Sequence, residues 1–225
     1  MIYQGDCLEA MASMPDKAFD LAICDPPYGI GKTWLKCRHG EKSFKGNYKN
    51  NKTPPKKYFT EIKRVSQNQI IWGANYFSSL WPSKNIIVWD KQCTWEKDRK
   101  SECEFATTSL THRPSVIFRY SWSGARKGSE TGITIIHPHQ KPVALYQWLL
   151  KNYAKPGDKI LDTHLGSGSS AIAAYNMGFN FTGYEIDADY FQAAKERIDR
   201  HMKQERLFKP QQINNVQPLF AGLEI

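Results

Sequence analysis

Two rhythms of apolar and polar positions run along this chain. Short apolar runs at residues 19–24 (FDLAIC), 69–72 (QIIW), 85–89 (NIIVW) and 115–120 (SVIFRY) have the length and β-branched content of strands, while residues 104–109 fit either strand or helix. Residues 1–5 read as a short strand-like entry and 7–14 as an amphipathic helix closed by Pro15. Residues 58–66 read as a helix, with Pro54 and Pro55 just ahead of it, where proline is tolerated.

The second half is more regular. Residues 143–154 have helical periodicity and stop before Lys155-Pro156-Gly157-Asp158, a turn. Residues 159–162 (KILD) form a strand, 165–168 a glycine loop, and 169–177 an alanine-rich helix closed by Gly178. A strand over 181–186 and a charged amphipathic helix over 189–203 follow. Strands alternating with helices predict an α/β fold around a mainly parallel sheet. Residues 1–203 are expected to form one domain, and residues 204–225, which lose periodicity, a tail. Two tail segments, Gln204–Phe208 and Val216–Phe220, faintly resemble peptides that dock on a sliding clamp; packing on the chain's own domain explains them better.

Composition narrows the class. The 225 residues suffice for one core, and 40% hydrophobic with 24% charged residues is ordinary for a globular protein. Nothing approaches the run of about 18 apolar residues that a membrane span requires. The opening MIYQGDCLEAM lacks a basic region followed by an apolar one, so no secretory signal and a cytoplasmic location are expected. Five cysteines without CxxC spacing argue against a disulfide framework and against a metal site.

The net charge of +9 is concentrated. Between Lys32 and Lys57 stand nine basic residues and one acid, with Trp34, Phe44 and Tyr48 among them. A basic, glycine-containing loop with interleaved aromatics over about residues 30–57 suits a phosphate backbone and unstacked bases. Lys32, Lys36, Arg38, Lys42, Lys45 and Lys49 are the expected nucleic-acid contacts, together with Arg126 and Lys127 in a second loop. Residues 92–132 are a candidate recognition region.

Two motifs carry chemistry. Asp162-Thr-His-Leu-Gly166-Ser167-Gly168-Ser169 follows a strand and opens a helix, so its glycines allow a tight turn and a ligand's close approach to free backbone N–H groups. Glu185 ends the next strand, where a carboxylate can take ribose hydroxyls. This context points to a nucleoside-containing cofactor. Only 54 residues follow Ala171, too few for the rest of a dinucleotide fold, so the rest of the sheet must come from upstream and the element order is permuted. The second motif, Asp25-Pro26-Pro27-Tyr28, ends the FDLAIC strand. Its prolines stiffen the turn and offer no N–H, leaving the Pro26 carbonyl and the Asp25 carboxylate as convergent acceptors for an NH₂ group. Tyr28 adds a flat face for stacking a base.

These residues resemble the S-adenosylmethionine-dependent DNA amino-methyltransferases of the N6-adenine or N4-cytosine kind. Asp25–Tyr28 is similar to their catalytic motif and 162–170 to their cofactor loop, and His137-Pro138-His139-Gln140-Lys141-Pro142 is similar to the segment before it. His164 and His139 depart from the usual Phe and Thr. The catalytic motif comes before the cofactor loop, the order of the family's β class.

The resemblance implies a Rossmann-like methyltransferase fold with S-adenosylmethionine as cofactor. It implies that Asp162, Gly166, Ser167, Gly168 and Ser169 border the methionine part, Glu185 holds the ribose, Asp6 with Cys7 reaches the adenine, and Gln140 and Lys141 neighbour the carboxylate. Asp25 would touch both cofactor and target base. Hydrogen bonds from an exocyclic amine to Asp25 and the Pro26 carbonyl would localise its lone pair for in-line attack on the methyl group, with the base flipped out of the duplex. The initial Asp favours N6 of adenine. Alternatives are N4 of cytosine, an RNA base amine, a protein glutamine amide, and a non-catalytic DNA-binding protein that keeps the fold. Double-stranded DNA, a second copy of the chain and a restriction nuclease are the partners that such a protein would take.

Overall fold

The protein, seen here as a computed structural model, is described over residues 1–30, 52–80, 83–93, 101–110, 114–122 and 127–204. Eight strands form one sheet among these residues: β1 (Ile2–Gln4), β2 (Phe19–Cys24), β3 (Ser66–Trp72), β4 (Ile86–Asp90), β5 (Cys103–Thr108), β6 (Val116–Arg119), β7 (Lys159–Asp162) and β8 (Asn180–Glu185). Their order is β1-β8-β7-β2-β3-β5-β4-β6. Every neighbouring pair is parallel except β3–β5 and β5–β4, so β5 alone runs against the rest. The α/β reading with a mainly parallel sheet holds, and the ambiguous residues 104–109 fall largely in this reversed strand.

The helices are α1 (Cys7–Ala12), α2 (Lys56–Val65), α3 (Val143–Tyr153), α4 (Ser169–Asn176) and α5 (Ala188–Lys203). Helices cover both faces of the sheet, which is why its central strands read as unbroken apolar runs. Successive residues of β2 go to opposite sides. Leu21 and Ile23 pack with Ile70, Trp72, Trp89 and Ile160 against Leu145, Leu149 and Ala173 of α3 and α4. Ala22 and Cys24 pack with Ile71 and Leu161 against Met11, Tyr58, Phe59 and Ile62 of α1 and α2. Each large side chain so buried contributes roughly 1.5–3 kcal/mol. No described helix is long and apolar enough to cross a membrane.

The sheet brings the chemistry to one edge. The carboxyl ends of the parallel strands lie together, and strands β2 and β7 meet at the centre with the chain departing in opposite directions from them. Ligands gather at such a point. Because β5 is reversed, its beginning, Cys103 and Glu104, reaches the same edge, level with Asp90 and Trp89 of β4.

Candidate active site

A cavity of about 320 Å³ opens at that edge. Its wall takes Asp25, Pro26, Pro27 and Tyr28 from the end of β2, Gly73, Asn75 and Tyr76 from beyond β3, and Lys91 and Glu104 from β4 and β5. The segment His137–Lys141, the loop residues Gly166, Ser167 and Ser169, and Glu185 complete it. The two motifs that the sequence separates by more than a hundred residues therefore face one space.

Asp25 is held from both sides. Tyr28 donates its hydroxyl to Oδ1 at 2.5 Å, and the Lys141 ammonium lies 2.5 Å from Oδ2. The same ammonium is 2.9 Å from Glu104 Oε2, and the other Glu104 oxygen meets Lys91 at 2.7 Å. Burial works against the charge on both Glu104 and Lys141, but each is stabilised by the other. Lys141 and Lys91 hold the Glu104 carboxyl below its usual range, and Asp25 and Glu104 hold the Lys141 ammonium above its own. Burial, with Asp25 beside it, keeps the Tyr28 phenol neutral well beyond the ordinary range.

Tyr28 departs from the expected free face. Its ring is stacked on Tyr76, with centroids 5.0 Å apart and planes 12° from parallel, and Phe77 meets it edge-on. The exposed ring of the pair is Tyr76, 41% accessible, on the short turn after β3. Packing explains the change, since a half-buried phenol beside a carboxylate turns its hydroxyl inward and covers its face.

The glycine loop is braced from behind. Leu165 N–H bonds the Tyr184 carbonyl at 2.8 Å, and Gly166 N–H bonds Glu185 Oε2 at 2.9 Å. Glu185 Oε1 takes the Asp187 N–H at 3.0 Å, and burial raises its carboxyl above the usual range. Gly168 adopts φ +76°, and a Cβ there would meet Ile198 Cδ1 of α5 at 2.8 Å. Arg197 of α5 clamps the loop through the Ser167 carbonyl and Ser169 Oγ, each at 2.9 Å.

Not every expected residue reaches the wall. Asp162 is buried behind it, its oxygens taken by His164 N–H at 2.9 Å and Ser170 Oγ at 2.5 Å, and burial pushes its carboxyl up to about 7. Gly168 also stands behind the wall. Asp6 caps α1 through Leu8 N–H at 2.7 Å, and Cys7 begins that helix away from the cavity. Lys141, which the resemblance sets beside a cofactor carboxylate, reaches the cavity wall with its ammonium on Asp25. Gln140 does face the cavity; its Oε1 accepts from Ile136 N–H at 3.0 Å, whereas its buried Nε2 has no hydrogen-bond partner among the described residues. His137 packs on Tyr190 and, by burial, is held neutral down to about 3.

Lys32, Lys36, Arg38, Lys42, Lys45, Lys49 and Arg126 lie outside the described residues, as does the tail from residue 205 onward. Lys127 is half-buried at the start of a short turn, Gly128–Glu130. Strands β5 and β6 fall within residues 92–132, so that stretch supplies sheet as well as Glu104. Glu104, Lys91 and Tyr76 were not anticipated from the sequence. No described group of His, Cys, Asp and Glu residues is arranged to hold a metal ion.

The chain is similar to known proteins in sequence and in fold. The type II methyltransferase M.ScaI of Streptomyces caespitosus is 26% identical over 249 residues, covering 88% of this chain and 81% of that protein. Among solved structures, the M1.HpyAVI–SAM complex superimposes with a TM-score of 0.58 at 21% identity, covering 88% of this chain and 98% of that one. The cytosine-N4-specific PvuII DNA methyltransferase superimposes with a TM-score of 0.59 at 14% identity, covering 89% and 90%. Across residues 19–196, which hold both motifs and the whole cavity wall, the sequence matches the N6/N4 methyltransferase model described as DNA methylase, and the chain belongs to that family.

Proposed function

We propose that this protein transfers the methyl group of S-adenosylmethionine to the exocyclic N6 of an adenine in double-stranded DNA. The observation that carries the reading is the Asp25 carboxylate, fixed by Tyr28 and Lys141 on the wall that it shares with the glycine loop.

The residues present suit that cofactor. The loop brings Gly166, with no side chain, to the cavity wall, Glu185 offers a buried carboxylate to a ribose, and the Gln140 amide is a donor without a partner among the described residues, available to a carboxylate. When bound, S-adenosylmethionine supplies an electrophilic methyl group. The chain's part is positioning. Asp25 and the Pro26 carbonyl would accept the two N–H groups of the target amine and leave its lone pair directed at the electrophile. A paired base lies too far inside the helix to reach them, so it must be flipped out at a cost of a few kcal/mol. The exposed face of Tyr76, with Tyr28 stacked beneath it, would then receive the base; such stacking contributes roughly 1–3 kcal/mol. The basic loop over about 30–57 would hold the phosphates.

The test is methyl transfer from S-adenosylmethionine to unmethylated duplex DNA, followed by mass spectrometry of the digested nucleosides. N6-methyladenine is the expected product. N4-methylcytosine would keep the mechanism and change the base, and an unmethylated digest with DNA still bound would favour an RNA acceptor or a non-catalytic role.

A further inference from the structure

We propose that Glu104 is a positioning residue for methyl transfer, which receives the Lys141 ammonium when the target amine takes its place on Asp25. The proposal rests on the reading above and adds a residue that neither motif contains.

The argument starts from what occupies Asp25. Its Oδ2 faces an ammonium at 2.5 Å, an N–H donor group of the kind that an exocyclic amine presents. The lysine thus stands where the substrate nitrogen would bind. Asp25 and Lys141 are both largely shielded, with side chains 13% and 4% exposed, so water is a poor substitute partner for either. A buried cation separated from its only counter-charge is strongly destabilised. Lys141 can yield Asp25 only if a second anion is already in reach. Glu104 Oε2, at 2.9 Å, is that anion, and Lys91 at 2.7 Å on its other oxygen fixes the direction in which it points. The rings of Tyr28 and Trp72, whose centroids lie 5.6 and 5.7 Å from the ammonium, keep it between the two carboxylates. The reversed direction of β5 is what delivers Glu104 to this point.

In Glu104→Gln the lysine is left with one full counter-charge and grips Asp25. Steady-state methylation of duplex DNA should then show kcat lower by about tenfold or more, with binding of S-adenosylmethionine, read by calorimetry, changed less than about threefold. The loss should depend on the lysine. In a Lys141→Met background, adding Glu104→Gln should cost nothing further, because the group through which it acts is gone. An E104Q enzyme with wild-type kcat, or losses that multiply in the double variant, would overturn the proposal. Should E104Q not fold, Glu104→Asp keeps the charge and withdraws the carboxylate by one methylene; reduced kcat is expected, and wild-type kcat would overturn the proposal equally. A wild-type protein that methylates no nucleoside would refute the functional reading itself. An active wild type with an indifferent Glu104 would refute this inference alone.

Discussion

A Cβ placed on Gly73 would lie 2.1 Å from Cε1 of Tyr28. The two residues come from the ends of adjacent strands, and the ring of one fills the space that a side chain on the other would need. Gly73 also has φ +70°, a conformation that residues with a Cβ adopt only at a cost. Gly73→Ala should therefore displace the Tyr28 ring from Tyr76 and Asp25. The expected result is a loss of roughly 1–3 kcal/mol in stability and a lower kcat. Urea melts and methylation rates on the same preparation would check both.

Asp25→Ala removes the carboxylate that the target amine would meet. Methyl transfer should fall by about a hundred- to a thousandfold, since oriented groups of this type carry much of the rate. DNA affinity by gel shift should change little, because the proposed phosphate contacts, in the loop over about 30–57, do not include Asp25. Turnover near the wild-type rate would sink the mechanism.

Three buried groups should shape how stability changes with pH on the acid side. Burial holds His137 and His164 at about 3 and about 4, and it pushes Asp162 up to about 7. Unfolded, the histidines titrate near 6.5 and the aspartate near 3.9. Between about pH 4 and 6.5 the unfolded chain binds more protons at both histidines, so their contribution to stability grows as pH rises. At Asp162 the folded state keeps a proton that the unfolded state has lost, so this contribution shrinks as pH rises through about 7. Over that window the two histidines and the aspartate therefore pull stability in opposite directions. Asp162→Asn removes the falling contribution of that carboxyl, so the variant's stability should rise more steeply with pH, or fall less, than the wild type's. Urea midpoints measured from pH 4 to 8 would contradict this if the variant's slope were unchanged.

Replacing Lys32, Lys36, Arg38, Lys42, Lys45 and Lys49 with glutamine should weaken DNA binding at low salt. For every phosphate that the variant no longer neutralises, the slope of log affinity against log salt should become shallower by about 0.9. A slope equal to that of the wild type would show that these residues do not touch the DNA backbone.

Much of the scaffold was legible because it is locally encoded. FDLAIC forms a strand over the residues expected, and KILD does likewise, since continuous apolar runs buried on both faces announce themselves. The helix over 143–154 differs from α3 by one residue at its end. Asp25 and the glycine loop were legible because their turns need proline and glycine. Glu104 was not. Its place beside Lys141 comes from the reversal of β5, a matter of strand pairing across the sheet, and residues 104–109 alone fit either strand or helix. Lys141 was assigned by motif to a cofactor, yet its nearest carboxylate is Asp25, 116 positions away. Tyr76 lies on a turn whose register against Tyr28 no local pattern reports. Distances along the chain conceal such meetings, and only the assembled sheet reveals them.

The pairing of β1 with β8 has a consequence in time. Ile2 sits beside Gly183 and Gln4 beside Glu185, some 180 positions away. Synthesis proceeds from the amino end, so β1 leaves the ribosome long before β8, its one neighbour among the described strands, exists. It must wait, unzipped, through the making of seven further strands, and closing so distant a contact is slow. The carboxylate of Glu185 arrives with that last strand, on the wall that Asp25 helped to begin. A nascent chain halted before the end of β8 therefore lacks Glu185, Asp187 and Tyr190 on the cavity wall. The order of translation thus leaves the wall incomplete until β8 is made.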